Sequence, residues 1–405
     1  MTGIKQEEED LLKKVLAEEK NYNWEEAAPL YEQIAKLFLG KNSLEIAGKY
    51  YKKLGYAYVK ASHNANTSEG FKKISNLAID AYKNALNLFN QIIKNPDNLE
   101  CEAEIFSING VLANSKMEGK KNFKKSYELF VKSNEIYRND VDQESTARSL
   151  NRAINSLLCL VYCCTEQEEI ENYIQKGFEL CYKAWIIGKE INFSNALAES
   201  LFAFGHLTFL YCFIIPFKYD DDAREHFNTL KSIGDISLIL IQECIDSDII
   251  AKVNFNTGWA YGANAMQFIE DAIKQKEYGD KGIALMELGL KELKKINDKR
   301  YFINVIFWLN YIATSFRRFN YVQKRIWQDI HSLLEMGEVY KGLLIEPYFL
   351  RTIFPAFYYN NLSQRSFIKP DQQKKYAELA IQYAEESLEV FSFLPMLTWS
   401  YQILA

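Results

Sequence analysis

Between Tyr51 and Ala85 the chain reads YKKLGYAYVKASHNANTSEGFKKISNLAIDAYKNA, two apolar-periodic segments separated by a short polar run. Tyr51, Leu54, Gly55 and Tyr58 share one helical face in the first segment, and Ala78, Tyr82 and Ala85 share one in the second. Small residues at such positions let two helix backbones approach closely, and an aromatic ring fills the groove beside them. The stretch predicts two antiparallel helices, at 43–60 and 68–94, packed face to face.

The same alternation continues in both directions. Helices are expected at 6–20 with 24–39, 98–116 with 121–138, 143–164 with 167–190, and 194–214 with 221–244. Later pairs fall at 247–270 with 277–296, 300–319 with 323–344, and 347–364 with 370–393. Only 7 Pro and 18 Gly interrupt the chain, while 26 Tyr and 26 Phe supply large apolar surfaces at helical spacing. A helix pair cannot bury its apolar stripe alone, so successive pairs must stack. The expected fold is an all-α, right-handed superhelical solenoid of about eight to nine antiparallel pairs. The whole chain, 1–405, is expected to form one array, with 395–405 beginning an incomplete terminal helix.

The spacings around Gly55 and Tyr82 resemble those of the tetratricopeptide-repeat superfamily, with weaker echoes at Phe106, Gly110 and Ala113, at Gly282, Met286 and Gly289, and at Ala377, Ile381 and Ala384. The period is longer, about 50 residues against the ~34 of the standard repeat. Residues 1–60 are more specifically similar to the opening of soluble NSF attachment proteins, through Glu25, Glu26, Ala27, Ala28, Tyr31, Ala35, Phe38, Ala47 and Gly48. That resemblance implies an adaptor that engages a helical SNARE-type bundle and a hexameric ATPase. Where that family carries an apolar loop between its first two helices, this chain has Asn21, Tyr22 and Asn23.

Composition narrows the function classes. Against 48 basic residues stand 53 acidic ones, a formal charge of -5, so no nucleic-acid footprint emerges. The start, MTGIKQEEEDLLKK, lacks the apolar core of a signal peptide, and a cytoplasmic location is expected. Leu201–Phe217 is uncharged but falls short of the ~20 residues of a membrane span. It is expected to be a buried helix. The seven cysteines sit mostly in apolar runs and read as small buried hydrophobes.

No phosphate-binding loop occurs, and the four histidines lie outside zinc-binding spacings, so no cofactor, metal or catalytic site is expected. Asp221, Asp222 and Glu225 form a DDxxE string like the diphosphate motif of class I terpene synthases. The second metal motif of that class has no counterpart here. Acids at a helix start, complementing its dipole, account for the string more simply.

Function is therefore expected on a surface. In arrays of this kind the first helix of each pair lines the concave groove that receives a peptide or helical segment. Counting from Gly55, Lys49, Lys52, Tyr56 and Lys60 should face it, followed on later first helices by Arg148, Arg152, Asn254, Asn310, Arg317 and Arg318. This basic lining suits an acidic or coiled-coil protein partner. The alternative is a regulatory or sensory array within a longer chain. At the opening of the second helix, Asn23 is expected to cap with Glu26 reaching back, and Pro29 to bend the helix.

Overall fold

The protein is seen in a computed structural model, which describes residues 2–92, 96–214, 221–267, 269–296, 356, 359–360, 362–364 and 368–390. Twelve helices follow one another: α1 (Thr2–Lys20), α2 (Trp24–Gly40), α3 (Leu44–Ser62), α4 (Ser68–Phe89), α5 (Asp97–Leu112), α6 (Lys116–Asn139), α7 (Gln143–Cys163), α8 (Gln167–Glu190), α9 (Ser194–Ile214), α10 (Asp221–Leu240), α11 (Ser247–Gln267) and α12 (Ala272–Leu293). A thirteenth, α13, spans Pro370–Val390. The described residues contain no strand. Every helix from α1 to α12 packs on the next, so the array is an all-α solenoid of antiparallel pairs. The helices expected at 300–319 and 323–344 and the terminal segment 395–405 lie outside the described residues, as does most of 347–364.

Four connections share one geometry. After α1, α2, α6 and α8 the chain makes a three-residue turn whose middle residue is left-handed: Tyr22 (φ 56), Asn42 (φ 56), Val141 (φ 62) and Asn192 (φ 53). The amide that follows each of them donates back into the last helical turn: Asn23 to Glu18 O, Ser43 to Phe38 O, Asp142 to Tyr137 O and Phe193 to Gly188 O. This is the Schellman pattern, which satisfies carbonyls left open at a helix end. Asn tolerates the left-handed region; Tyr and Val do so at a cost.

Packing within pairs follows the small-to-aromatic logic. A Cβ added at Gly55 would lie 2.8 Å from the Tyr82 ring, one at Gly48 2.6 Å from the Phe89 ring, and one at Gly110 2.6 Å from the Phe123 ring. Gly48 meets Phe89 and Gly55 meets Tyr82, so a step forward along α3 is matched by an equal step back along α4. The two helices are therefore antiparallel and in register. Tyr82, Phe89 and Phe123 are almost wholly buried in these sockets.

The core is a string rather than a single centre. One cluster joins α1–α5, smaller ones bridge α5–α8, and a large one runs from α7 to α12 and on to Ala380 of α13. A stack whose units touch mainly their neighbours has this distribution. All seven cysteines are free thiols, five of them buried. Burial pushes Cys101 and Cys164 up to about 12 and Cys163 up to about 11. Thiols held that far above neutrality carry little nucleophilic thiolate.

One local expectation at the second helix needs correction. Asn23 makes no side-chain cap; its amide donates to Glu18 Oε2 at 2.8 Å instead. The Schellman turn already fixes Asn23 as the last residue of α1's closure, so its side chain turns back toward that helix. A reciprocal cap occurs instead at α6, where Ser115 Oγ accepts from Glu118 N and the Glu118 carboxylate accepts from Asn114 N. The α2 helix continues through Pro29. Pro29 and Glu25 both lie on its exposed side, so the carbonyl that loses its donor faces water.

Candidate partner-binding surface

From α3 to α11 the odd-numbered helices, the first members of each pair, are joined by polar contacts, charged at every step except α7–α9. Lys52 of α3 contacts Asp97 Oδ1 at 2.5 Å and also Glu100, both on α5. Tyr137 Oη of α6 donates to the same Asp97 oxygen at 3.2 Å. Glu104, one turn beyond Glu100, pairs with Arg152 of α7. Asn151 of α7 meets Ser200 of α9 at 3.0 Å, and Glu199 of α9 meets Lys252 of α11 at 2.6 Å. Cationic α3, anionic α5, cationic α7, anionic α9 and cationic α11 thus form a ladder across the first helices.

Burial by itself would lower the Lys52 and Lys252 ammonium groups, but their carboxylate partners reverse this and hold both above the usual lysine range. Lys252 is nearly sequestered, with 8% of its side chain exposed, and is shared by Glu199 and Asp248.

A second arrangement lies where α2, α3 and α7 converge. Trp24 and Tyr56 meet edge to face, centroids 5.5 Å apart at 89°. Lys60 Nζ stands 5.8 Å from the Tyr56 centroid, and the Arg152 guanidinium 5.7 Å. Arg152 therefore reaches past α5 to α3 while holding Glu104. Trp24, Tyr56, Lys60 and Arg152 are all half-buried, open enough to be touched and packed enough to be held in place.

The structure brings Tyr56, Lys60 and Arg152 together and joins Lys52 to them through α5. It separates the others. Lys49 makes an exposed pair with Glu45 on its own helix at 2.7 Å. Arg148 pairs with Glu144 and lies 5.1 Å over the Phe193 ring. Asn254 is 7% exposed, and its amide donates to Ile250 O at 2.8 Å, so it sits inside the packing around α11 and not on a groove. Asn310, Arg317 and Arg318 lie outside the described residues.

Sequence reading missed Trp24 and the acids Asp97, Glu100, Glu104 and Glu199. These acids change the character of the surface, because they pair with two of the cations expected to make it basic, Lys52 and Arg152. Their signal was present as carboxylates on alternate first helices opposite the cations of the helices between.

The DDxxE string opens α10, with Asp221 and Asp222 in its first turn. Asp221 lies 3.7 Å from Arg224, and Asp222 accepts from Tyr211 Oη at 3.5 Å. Asp221 and Glu225 also line a cleft of about 550 Å³ between α8 and α10, opposite Tyr182, Trp185 and Lys189. Among the described residues, no group of three or more His, Cys, Asp or Glu is placed to hold a metal ion. None of the described helices is long and apolar enough to cross a membrane.

No protein-family model matches this chain, and no curated protein matches it. Among solved structures it is similar to a circular tandem repeat protein with novel repeat topology and enhanced subunit contact surfaces. That similarity has 14% identity and a TM-score of 0.35, over 100% of this chain and 92% of the other. A TM-score that low carries no argument about fold or function. The chain's own packing does: it is an all-α solenoid of helix pairs, a fold compatible with protein partners, whose first helices carry a charge-paired ladder and one half-open aromatic and cationic cluster.

Proposed function

We propose that this chain is a non-catalytic scaffold that binds a helical or extended protein segment across its first helices. The observation that carries the reading is the cluster of Trp24, Tyr56, Lys60 and Arg152. Trp, Tyr and Arg dominate the residues whose removal most weakens protein interfaces, and here they are pre-positioned with little entropy left to lose on binding. Because Lys52, Arg152 and Lys252 are already paired, recognition rests on the aromatic surface of Trp24 and Tyr56. Bulk positive charge contributes little.

The more specific version is an adaptor of the NSF-attachment type, engaging a helical bundle and a hexameric ATPase in the cytoplasm. Its support is the resemblance of residues 1–60.

A photo-crosslinking residue at position 56 should capture a partner, and Tyr56→Ala with Lys60→Glu should weaken that partner's binding at least tenfold with an unchanged thermal melt. Undiminished binding in the double variant would exclude this surface. For the adaptor version, the captured material should contain a coiled-coil bundle, and binding of a hexameric ATPase should depend on it. Lys52 is unsuited to such a test, since its replacement would unpair Asp97 and Glu100.

A further inference from the structure

Tyr22 makes contacts across 224 residues of sequence. Its hydroxyl donates to Asp246 Oδ1 at 2.7 Å and accepts from the backbone N–H of Asp248 at 3.0 Å. Its ring packs against the core cluster that runs through α7–α12. The turn between α1 and α2 is thereby pinned to the turn between α10 and α11.

The identity of these two turns carries geometric information. In a stack of antiparallel pairs, connections from an odd to an even helix lie on one edge and those from an even to an odd helix on the other. The α1–α2 turn and the α10–α11 turn therefore belong to opposite edges. A flat ring would bring like edges level. Contact between unlike edges requires the array to climb by about one helix length, ~30 Å for a helix like α11, while passing from the first pair to the sixth. The Tyr22 contact is where one superhelical turn meets the next.

The backbone gives a second, independent indication. Of the four left-handed turn positions, Asn42 and Asn192 carry a residue suited to that conformation, whereas position 22 carries tyrosine at φ 56. Local turn chemistry favours Asn or Gly there. The side chain that overrides this preference is the one that reaches α11. Val141, the remaining unsuited residue, is 80% exposed, and nothing in the structure explains it. Burial and the hydrogen bond to Asp246 both push the Tyr22 hydroxyl above its ordinary value, so it stays protonated and remains a donor.

We propose that Tyr22 is a latch that closes the first superhelical turn and sets its pitch, and that its release lets the array pass from a compact, latched form to an extended, open one. The latch consists of one side chain and two hydrogen bonds at the rim of the solenoid. A contact of that size is strong enough to bias two states and weak enough to be reversed by binding or by added charge. The helix pairs need not unfold, because each keeps its own neighbours. The proposal concerns the shape of the free chain and does not depend on the partner surface.

The test is small-angle X-ray scattering and hydrogen exchange on the full chain carrying Tyr22→Asn, which suits the left-handed turn while removing the latch. Helicity should be unchanged, the maximum dimension should increase, and the Asp248 amide, which keeps its bond to Asp246 Oδ1 at 2.9 Å but loses the one to Tyr22, should exchange faster by a few fold, about the effect of one lost hydrogen bond. Tyr22→Phe, retaining the ring and losing the hydroxyl, should fall between Tyr22→Asn and the wild type. A photo-crosslinker at position 22 supplies a readout independent of these variants: it should form an intramolecular link to residues 241–250. Scattering of Tyr22→Asn that superposes on wild type, or absence of that link in folded protein, would overturn the latch.

Discussion

The pair α3–α4 and the group α9–α11–α12 are built from the same hairpin but held by different forces. In α3 the buried residues form a stripe, from Ala47 and Tyr51 through Leu54 and Gly55 to Ala61, and the opposite face carries exposed or half-exposed lysines. In α11 every residue from Ala251 to Ala265 is buried, including Lys252, Asn254, Asn256, Thr257 and Asn264. Those polar side chains are accommodated one by one. Asn254, Asn256, Thr257 and Asn264 each donate to the carbonyl four residues earlier, and Lys252 takes two carboxylates. The close approach differs too. Gly55 of α3 faces a ring, whereas a Cβ on Gly258 of α11 would lie 2.7 Å from the backbone carbonyl oxygen of Gly282. A two-layer stack needs one apolar stripe; a helix enclosed on all sides needs every polar group satisfied within reach.

The largest expected separation between the two regions is electrostatic. Lys52→Met should strand Asp97 and Glu100, whose side chains are 16% and 7% exposed, and cost about 3–5 kcal/mol. Lys252→Met strands Glu199 and Asp248, 27% and 19% exposed, and should cost less in the same thermal or urea denaturation. Equal losses would show that burial of the lysine, and not of the carboxylates it leaves behind, sets the cost.

Glycine replacement gives the next effect. Gly258→Ala must separate two backbones and should destabilise by about 1–3 kcal/mol. Gly55→Ala meets only the edge of the Tyr82 ring, and its better helix propensity offsets up to ~1 kcal/mol of that strain. Its midpoint in urea should therefore shift less than that of Gly258→Ala. A reversed order would show that the aromatic socket is the more rigid packing.

The smallest effect lies between the two regions, where Lys120 of α6 meets Glu169 of α8 at 2.5 Å. Burial raises the Glu169 carboxyl, but hydrogen bonds from Lys120, Cys164 and Tyr173 outweigh it and hold the group below the usual glutamate range. A depressed carboxylate contributes stability that is complete above its unfolded value, ~4.3, and is lost as pH falls through the lower folded value. Glu169→Gln should remove that acid-dependent part, at most about 1 kcal/mol for a partly exposed pair, and flatten stability against pH below 4.3. An unchanged acid slope would place the linkage elsewhere.

How far the sequence could be read tracks the same division. The helices α7, α8 and α9 begin at the expected residues, Gln143, Gln167 and Ser194, since polar turns and capping residues bound their apolar runs. The start of α6 was placed five residues late, because its first turns, KMEGKK, show almost no apolar periodicity and the Ser115 cap alone marks them. In the amphipathic α3, Tyr56 and Lys60 lie one turn apart and Lys60 Nζ stands 5.8 Å from the Tyr56 centroid. In α11 the counting from Gly55 failed for Asn254, because a helix buried all round has no polar face from which to assign direction. Lys52 was counted as a free cation because its carboxylates lie 45 and 48 residues away. Periodicity within one helix carries no information about the helix stacked beside it.

Over the described residues the sequence by itself determined where the helices and their pairs fall and the socket in which Gly55 meets the Tyr82 ring, because each depends on residues a few turns apart or in the adjoining helix. It also placed Tyr56 and Lys60 one turn apart on a first helix. Tertiary structure alone decided which charges cancel, that Arg152 of α7 completes the cluster on α3, and that Tyr22 meets Asp246. These contacts join surfaces brought together by the summed rotation of several stacked pairs. A small rotation at each interface accumulates along the array, and no local pattern of residues records the total.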